Sequence, residues 1–244
     1  MSLLATPLSY LLTLLYNLVH NYGIAIIILT VIVKAALYPV YAKSMKSTMK
    51  MGKLQPKMQE LQQKYGKDRE VYQQKVSELY KEEGASMYGG CLPMIVQMIV
   101  IMGLFALLRT PMRYMTDENM LYAIHETFLW IPDLSQPDKW ILPLAAAAAT
   151  FISYSMSSMQ QMQTSMGGAT GNAAQGNMMG KMMKYFFPIM ILWFARTYPA
   201  GLAIYWFGSQ VIQIFYNLRF NQWKKQQAEE EKAAKKKKKE KTDK

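Results

Sequence analysis

Cysteine, histidine and early charge are what this sequence has least of. Its single cysteine, Cys91, excludes an intrachain disulfide framework. Only two histidines occur, His20 and His125, and the pair His125-Glu126 lacks the second histidine that a zinc-binding helix needs four residues along. No Gly-rich phosphate loop ending in Lys-Ser or Lys-Thr is present, so nucleotide hydrolysis has no recognisable site. No charged residue precedes Lys34. The apolar start therefore has no basic flank, and no small-residue cleavage site follows it, so a cleaved signal peptide is not expected.

What is present is apolar and basic, in separate blocks. The chain has 244 residues, a net charge of +12, 21 Met and 16 Tyr. Its mean hydropathy of −0.03 would suit a basic soluble protein, but that value averages very different segments. Residues 1–20 place Leu4, Leu8, Leu11, Leu12, Leu15 and Val19 at helical spacing and predict an amphipathic helix lying at a membrane interface. Five segments are long and apolar enough to be read as bilayer spans. They are 23–42, 89–108, 139–161, 181–197 (with a kink expected at Pro188) and 201–220. Residues 43–88 switch to Lys, Glu, Gln and Met and read as a helical hairpin, with arms 44–65 and 68–83 broken near Gly66-Lys67-Asp68. Residues 109–138 form a loop rich in Pro and acids, with Leu121–Ile131 expected at the surface. Residues 162–180 form a flexible Met-rich loop. The tail 221–244 is expected to be solvated and disordered, with a fraying helix at its start. The predicted fold is an all-α polytopic membrane protein.

Charge orients it. The hairpin carries 10 basic and 6 acidic residues, and residues 219–244 carry 11 basic and 5 acidic. The loop 109–139 carries 3 basic and 5 acidic. The positive-inside rule puts hairpin and tail in the cytosol and the N-terminus outside.

The polar residues inside the spans suggest function. Lys34 sits mid-span, on one helix face with Thr30, Tyr38 and Tyr41. It lies about nine residues, or roughly 13 Å, from the cytosolic end, too far for easy snorkelling, so it should face protein or water. Trp206, Ser209, Gln210, Gln213 and Asn217 form a second stripe. Thr150, Ser153, Tyr154, Ser157, Ser158 and Gln161 form a third, and Gln97 adds to them. Interhelical hydrogen bonding alone would account for any one stripe. Three stripes and a cation, all toward the cytosolic side, predict a groove open to the cytosol and closed outside. Methionines at Met45, Met49, Met58, Met156, Met159 and Met162 offer an adaptable apolar surface for varied partners. Ser209 and Cys91 have no histidine nearby in the sequence, both histidines lie outside the spans, and an enzyme is not expected. No cofactor or metal is expected either. A channel or solute transporter using Lys34 as its selectivity charge remains the alternative.

Five stretches then carry a family resemblance: Thr30–Pro39 (TVIVKAALYP), Leu54–Gln59 (LQPKMQ), Leu79–Lys81 (LYK), Gly89–Met98 (GGCLPMIVQM) and Tyr198–Trp206 (YPAGLAIYW). In this order and spacing the chain resembles the YidC-type membrane protein insertases of the Oxa/Alb superfamily, from about residue 5 to 222. The resemblance implies five spans around a cytosol-open hydrophilic groove and a cytosolic hairpin. It implies an insertase and folding chaperone for nascent membrane proteins, acting with or without the Sec translocon and signal recognition machinery. The family's groove cation is usually Arg, and the match falls on Lys34. Ile99 stands where a Pro commonly follows the Gln-Met pair. A compact form in a bacterial plasma membrane is the implied setting. The basic tail suits ribosomal RNA or anionic lipid through non-specific electrostatics, and equally a merely solvated state. No sequence-specific nucleic-acid contact is expected.

Overall fold

The computed structural model describes residues 2–66, 68–84, 92–109, 111–114, 118–157, 178 and 181–242. Those residues are almost wholly helical, and their only β feature is an isolated bridge between Phe128 and Ile131.

Helix α1 (Ser2–Val19) ends at His20, which adopts a left-handed φ of 49° and donates its N–H to the Tyr16 carbonyl. Asn21 then caps α2 (Tyr22–Tyr65), its side-chain oxygen accepting from the Ile24 N–H at 3.0 Å. Helix α1 packs on the bundle along one face. Leu12 and Leu15 are buried in the main core, and the helix packs on α2 and α4. Its opposite face, Tyr10, Leu14 and Leu18, is apolar and exposed.

Helix α2 is one continuous rod of 44 residues, about 66 Å long. Its first part is apolar and its second part is the first arm of the hairpin. The stretch Tyr22–Leu54 is, among the described residues, the one helix long and apolar enough to cross a bilayer. Shorter apolar helices occupy Ala5–Val19, Ile95–Leu108, Ile141–Met156 and Lys184–Ala195. Asp68 caps α3 (Arg69–Glu82), accepting from the N–H groups of Glu70 and Val71. The hairpin has its own small core of Leu54, Met58, Tyr72, Val76, Leu79 and Tyr80.

Helix α4 (Leu92–Arg109) is followed by the short α5 (Pro111–Tyr114) and α6 (Glu118–Ala123), then an irregular segment, then α7 (Ile141–Met156). Residues Met182–Phe186 form a π-helical turn ahead of α8 (Phe187–Ala195). The irregularity expected at Pro188 thus lies just before it, and Pro188 occupies the first turn of α8, where its missing N–H costs nothing. Helix α9 (Ala200–Thr242) closes the fold. The tail expected to be disordered is instead helical through Thr242. Ala, Glu, Gln and Lys dominate it, all good helix formers.

The connection between α6 and α7 is not a loose surface loop. Met120, Ala123, Ile131 and Leu134 are buried in the main core with Tyr22, Leu107, Leu142 and Leu202. Its polar groups cap three helices at once. Glu126 accepts from the Tyr22 N–H at 2.8 Å and from the Tyr16 hydroxyl at 2.6 Å. Asp138 accepts from the Leu142 N–H at 2.6 Å. The carbonyls of Gln136 and Leu134 accept from the N–H groups of Ala200 and Gly201. The N-termini of α2, α7 and α9 are therefore gathered at one end, where acids complement the helix dipoles. Glu126→Ala should lower stability by about 1–3 kcal/mol, because it strips a helix cap and leaves a tyrosine hydroxyl without its acceptor. Glu126→Gln should cost less, since an amide oxygen can still accept. Thermal unfolding in detergent measures both.

Gly23, in the first turn of α2, is required by a close approach. A Cβ there would lie 2.3 Å from the Phe128 ring. The ring cannot easily retreat, because Phe128 and Ile131 exchange two backbone hydrogen bonds of 2.9 Å. Gly23→Ala should destabilise the protein by about 1–3 kcal/mol through overpacking. Phe128→Leu in the same chain should recover part of the loss, which thermal unfolding would detect.

Candidate functional site

At the opposite end from this capping segment the bundle opens into a cavity of about 440 Å³. Five helices wall it. Helix α2 contributes Lys34, Leu37, Val40, Tyr41 and Met45; α4 contributes Val96, Gln97, Met98 and Ile101. Ser153, Tyr154 and Ser157 come from the end of α7, and Phe187, Met190, Ile191 and Phe194 from α8. Trp206, Gln210, Gln213, Tyr216 and Asn217 come from α9. Toward the capped end the space is filled by Ala25, Ile26, Leu29, Leu104, Ala203 and Ile204. Helical spacing explains the placement. Positions 206, 210, 213 and 217 fall on one face of α9, and 153 and 157 on one face of α7.

Lys34 is 8% exposed. Its ammonium donates to the Gln97 Oε1 at 2.9 Å, and Gln97 Nε2 donates to the buried Tyr205 hydroxyl at 3.1 Å. Among the described residues no ion pair includes Lys34. Lys34 thus carries three donors with one protein acceptor assigned. The Tyr216 hydroxyl donates to the Lys34 carbonyl at 3.2 Å, tying α9 to α2.

A second polar knot centres on Asn217, which is 2% exposed. Its side-chain oxygen accepts from the Tyr41 hydroxyl at 2.7 Å and from Gln213 Nε2 at 3.3 Å. Its Nδ2 donates to the Ser153 carbonyl at 3.0 Å. One helical turn on, Asn221 donates to the Met156 carbonyl at 3.1 Å. These two asparagines donate to carbonyls in the last turn of α7: that of Ser153, which also accepts from the Ser157 N–H, and that of Met156 at the helix end. Trp206 Nε1 donates to Thr150 Oγ1 at 3.0 Å, and Thr150 in turn donates to the Ala146 carbonyl.

Of the residues singled out from the sequence, Lys34, Gln97, Ser153, Tyr154, Ser157, Trp206, Gln210, Gln213 and Met45 line this cavity. Thr30 and Ser209 do not. Both are buried, and each hydroxyl donates to a carbonyl of its own helix, Ile26 and Trp206 respectively. Thr30 lies a turn deeper than Lys34, toward the filled end, whereas Ser209 lies level with the cavity-lining Trp206 and Gln210 but is turned away from the cavity. Tyr38 is turned outward, half exposed, against Tyr216. Met58 is not an exposed contact surface. It is buried in the hairpin core and accepts a hydrogen bond from the Tyr80 hydroxyl, because the two arms have no other core to share. Met49 and Met156 are half-buried, and Met159 and Met162 lie outside the described residues. The apolar side of the cavity, Ile101, Phe187, Met190, Ile191 and Phe194, carried no sequence signal, since such residues are indistinguishable from lipid-facing ones until the helices are placed. Tyr205 and Tyr216 were missed for the same reason. Met98 and Val96 flank Gln97 and were equally silent.

These features define an all-helical membrane protein with one cation set into a cavity at one end of its bundle. Residues 14–229 match the family described as 60Kd inner membrane protein, and the chain belongs to that family. It is 40% identical over 214 residues to a membrane protein insertase YidC of Laribacter hongkongensis, covering 87% of this chain and 35% of that one. It is 34% identical over 215 residues to a membrane protein insertase YidC of Caldanaerobacter subterraneus, covering 88% of this chain and 92% of that one. A solved active YidC insertase with its first transmembrane domain resolved is similar in fold, with a TM-score of 0.58 and 27% identity over 87% of this chain and 45% of that one. The chain spans about a third of the length of the Laribacter relative.

Proposed function

We propose that this protein is a membrane protein insertase of the bacterial plasma membrane, working with or without the Sec translocon. Its five apolar segments cross the bilayer, with hairpin and tail in the cytosol and the capping segment outside. The observation that carries this reading is Lys34: a buried cation with no described ion-pair partner, on the wall of a cavity at the hairpin end. A nascent chain meets the hairpin and then the cavity mouth. Its polar, acidic segment enters the cavity, which water fills alongside it, and the ammonium attracts it. The cavity shortens the apolar path, so that only the filled end of the bundle is left to be crossed. The substrate's apolar helix leaves through the apolar side walls into lipid. Hydrophobic transfer drives the process, helped by the membrane potential at about 2.3 kcal/mol per charge per 100 mV. The basic end of α9 offers a contact for ribosomal RNA or anionic lipid, and Sec components and signal recognition machinery are further partners. The protein also assists the folding of the helices it releases.

Purified protein in liposomes should raise protease-protected insertion of a single-span test protein well above empty liposomes, with no other translocation component present. Passage of small ions or solutes without any gain in insertion would instead support the channel reading.

A further inference from the structure

The capping segment carries a feature that none of its capping contacts requires. Between the bridged residues Phe128 and Ile131 the chain turns through Leu129 and Trp130. Leu129 adopts a φ of 55° and is 75% exposed. A branched apolar residue is disfavoured in the left-handed region, where Asn or Gly would be comfortable. In water this turn would combine backbone strain with apolar exposure and gain nothing from either. Trp130 is half exposed, with its indole N–H aimed at Asp138 at 3.4 Å. Its polar edge is thus turned to a carboxylate of the segment, and its ring is left outside.

The place of the turn matters. Phe128 packs against Gly23, so the turn lies beside the first turn of α2, a helix whose Ile24 and Ile27 are exposed. The same pattern recurs at this end of the bundle. Trp140 immediately precedes α7, whose Ile141 and Leu144 are exposed, and the Arg196 guanidinium sits 4.0 Å over the Trp140 ring at the end of α8. Exposed aromatics stand where exposed apolar helix faces begin or end. Such aromatics favour the boundary between headgroups and acyl chains, and a stacked arginine beside them suits lipid phosphate.

We propose that the Leu129–Trp130 turn is a lipid anchor, entering the interface of the leaflet opposite the hairpin to a depth of about 5–10 Å. The bilayer would cover the exposed Leu129 side chain and offset the strain of its backbone. The occupant is the lipid interface itself, continuous with the apolar surface of α2. The turn thereby fixes the height at which α2, and Lys34 with it, sits in the membrane.

The single native cysteine makes the test direct. In a Cys91→Ser background, Leu129→Cys is labelled with a polarity-sensitive dye and reconstituted in phosphatidylcholine–phosphatidylglycerol vesicles. Gln63→Cys on the polar hairpin arm serves as the solvent reference. The dye at 129 should emit to the blue of the reference. It should be quenched by lipids brominated near the headgroup and protected from aqueous iodide. Trp130→Cys is the second position and should behave alike, so that a misfolded Leu129 variant does not decide the matter. A dye at both positions that matches the reference, open to iodide and untouched by brominated lipid, would overturn the proposal.

Discussion

Lys34→Ala should reduce insertion of a single-span substrate with an acidic translocated segment by about tenfold or more, while Lys34→Arg should keep most of the activity. Two unit charges 4 Å apart attract with about 4 kcal/mol at the effective dielectric of a protein surface. Roughly a third of that is already a factor of ten in an equilibrium. The ammonium is the candidate attractor, because no carboxylate among the described residues neutralises it. The variant should still fold. Removing a buried cation that lacks an ion-pair partner relieves a desolvation cost. Gln97 loses its donor but lines the cavity and can turn toward water. Arginine keeps the charge and adds donors, although its planar fork needs a different seat beside Gln97.

The specificity of the effect is the sharper measurement. Insertion of a substrate with a neutral translocated segment should change little in Lys34→Ala, and the unfolding midpoint of the purified variant should stay close to that of the parent. Equal insertion of the acidic substrate by Lys34→Ala and parent would remove the charge from the mechanism. A parallel loss with both substrates would point to a packing role for the Lys34 stem.

Helical period and charge blocks made much of this fold legible. The apolar start of α2, the break at Gly66-Lys67-Asp68 and the stripe 206–217 on α9 all follow from local sequence. What stayed hidden required tertiary partners. Glu126 and Asp138 read as topology charges, yet they cap α2 and α7, because which helix end lies within reach of a loop acid depends on the assembled bundle. The tail's lysine run suggested solvation and hid its helix propensity. At the site, Lys34 and Gln97 were both singled out, but not as a pair. They are 63 residues apart, and only the packing of α4 beside α2 brings them to 2.9 Å. Thr30 shares a helix face with Lys34 but lies a turn deeper, where side chains fill the space, so periodicity assigned the face correctly and could not set the depth of the cavity.

Asn217 is where the same packing should matter for stability. Asn217→Leu should destabilise the protein by about 1–3 kcal/mol. Leucine keeps the branching of asparagine but is bulkier, so some overpacking adds to the loss of polarity. The change takes from the Tyr41 hydroxyl its Asn217 acceptor, and it leaves the Ser153 carbonyl with only the N–H of Ser157. A buried group left unsatisfied costs about 1–3 kcal/mol, and the Tyr41 hydroxyl is the one that loses its acceptor. Tyr41→Phe removes one donor cleanly and should cost only about 1 kcal/mol. The two changes should therefore be strongly non-additive: Tyr41→Phe combined with Asn217→Leu should be less destabilised than the sum of its parts by about 1 kcal/mol, because the phenylalanine leaves no hydroxyl to strand. The coupling, read from unfolding midpoints in one detergent, tests whether Asn217 joins α2, α7 and α9 as a single knot. Additive losses would mean that Tyr41 finds another partner when the asparagine is gone. Because Asn217 and Tyr41 both stand on the cavity wall, the variant should also admit a water-soluble quencher to Trp206 more readily than the parent, a change that a uniformly loosened core far from the cavity would not produce.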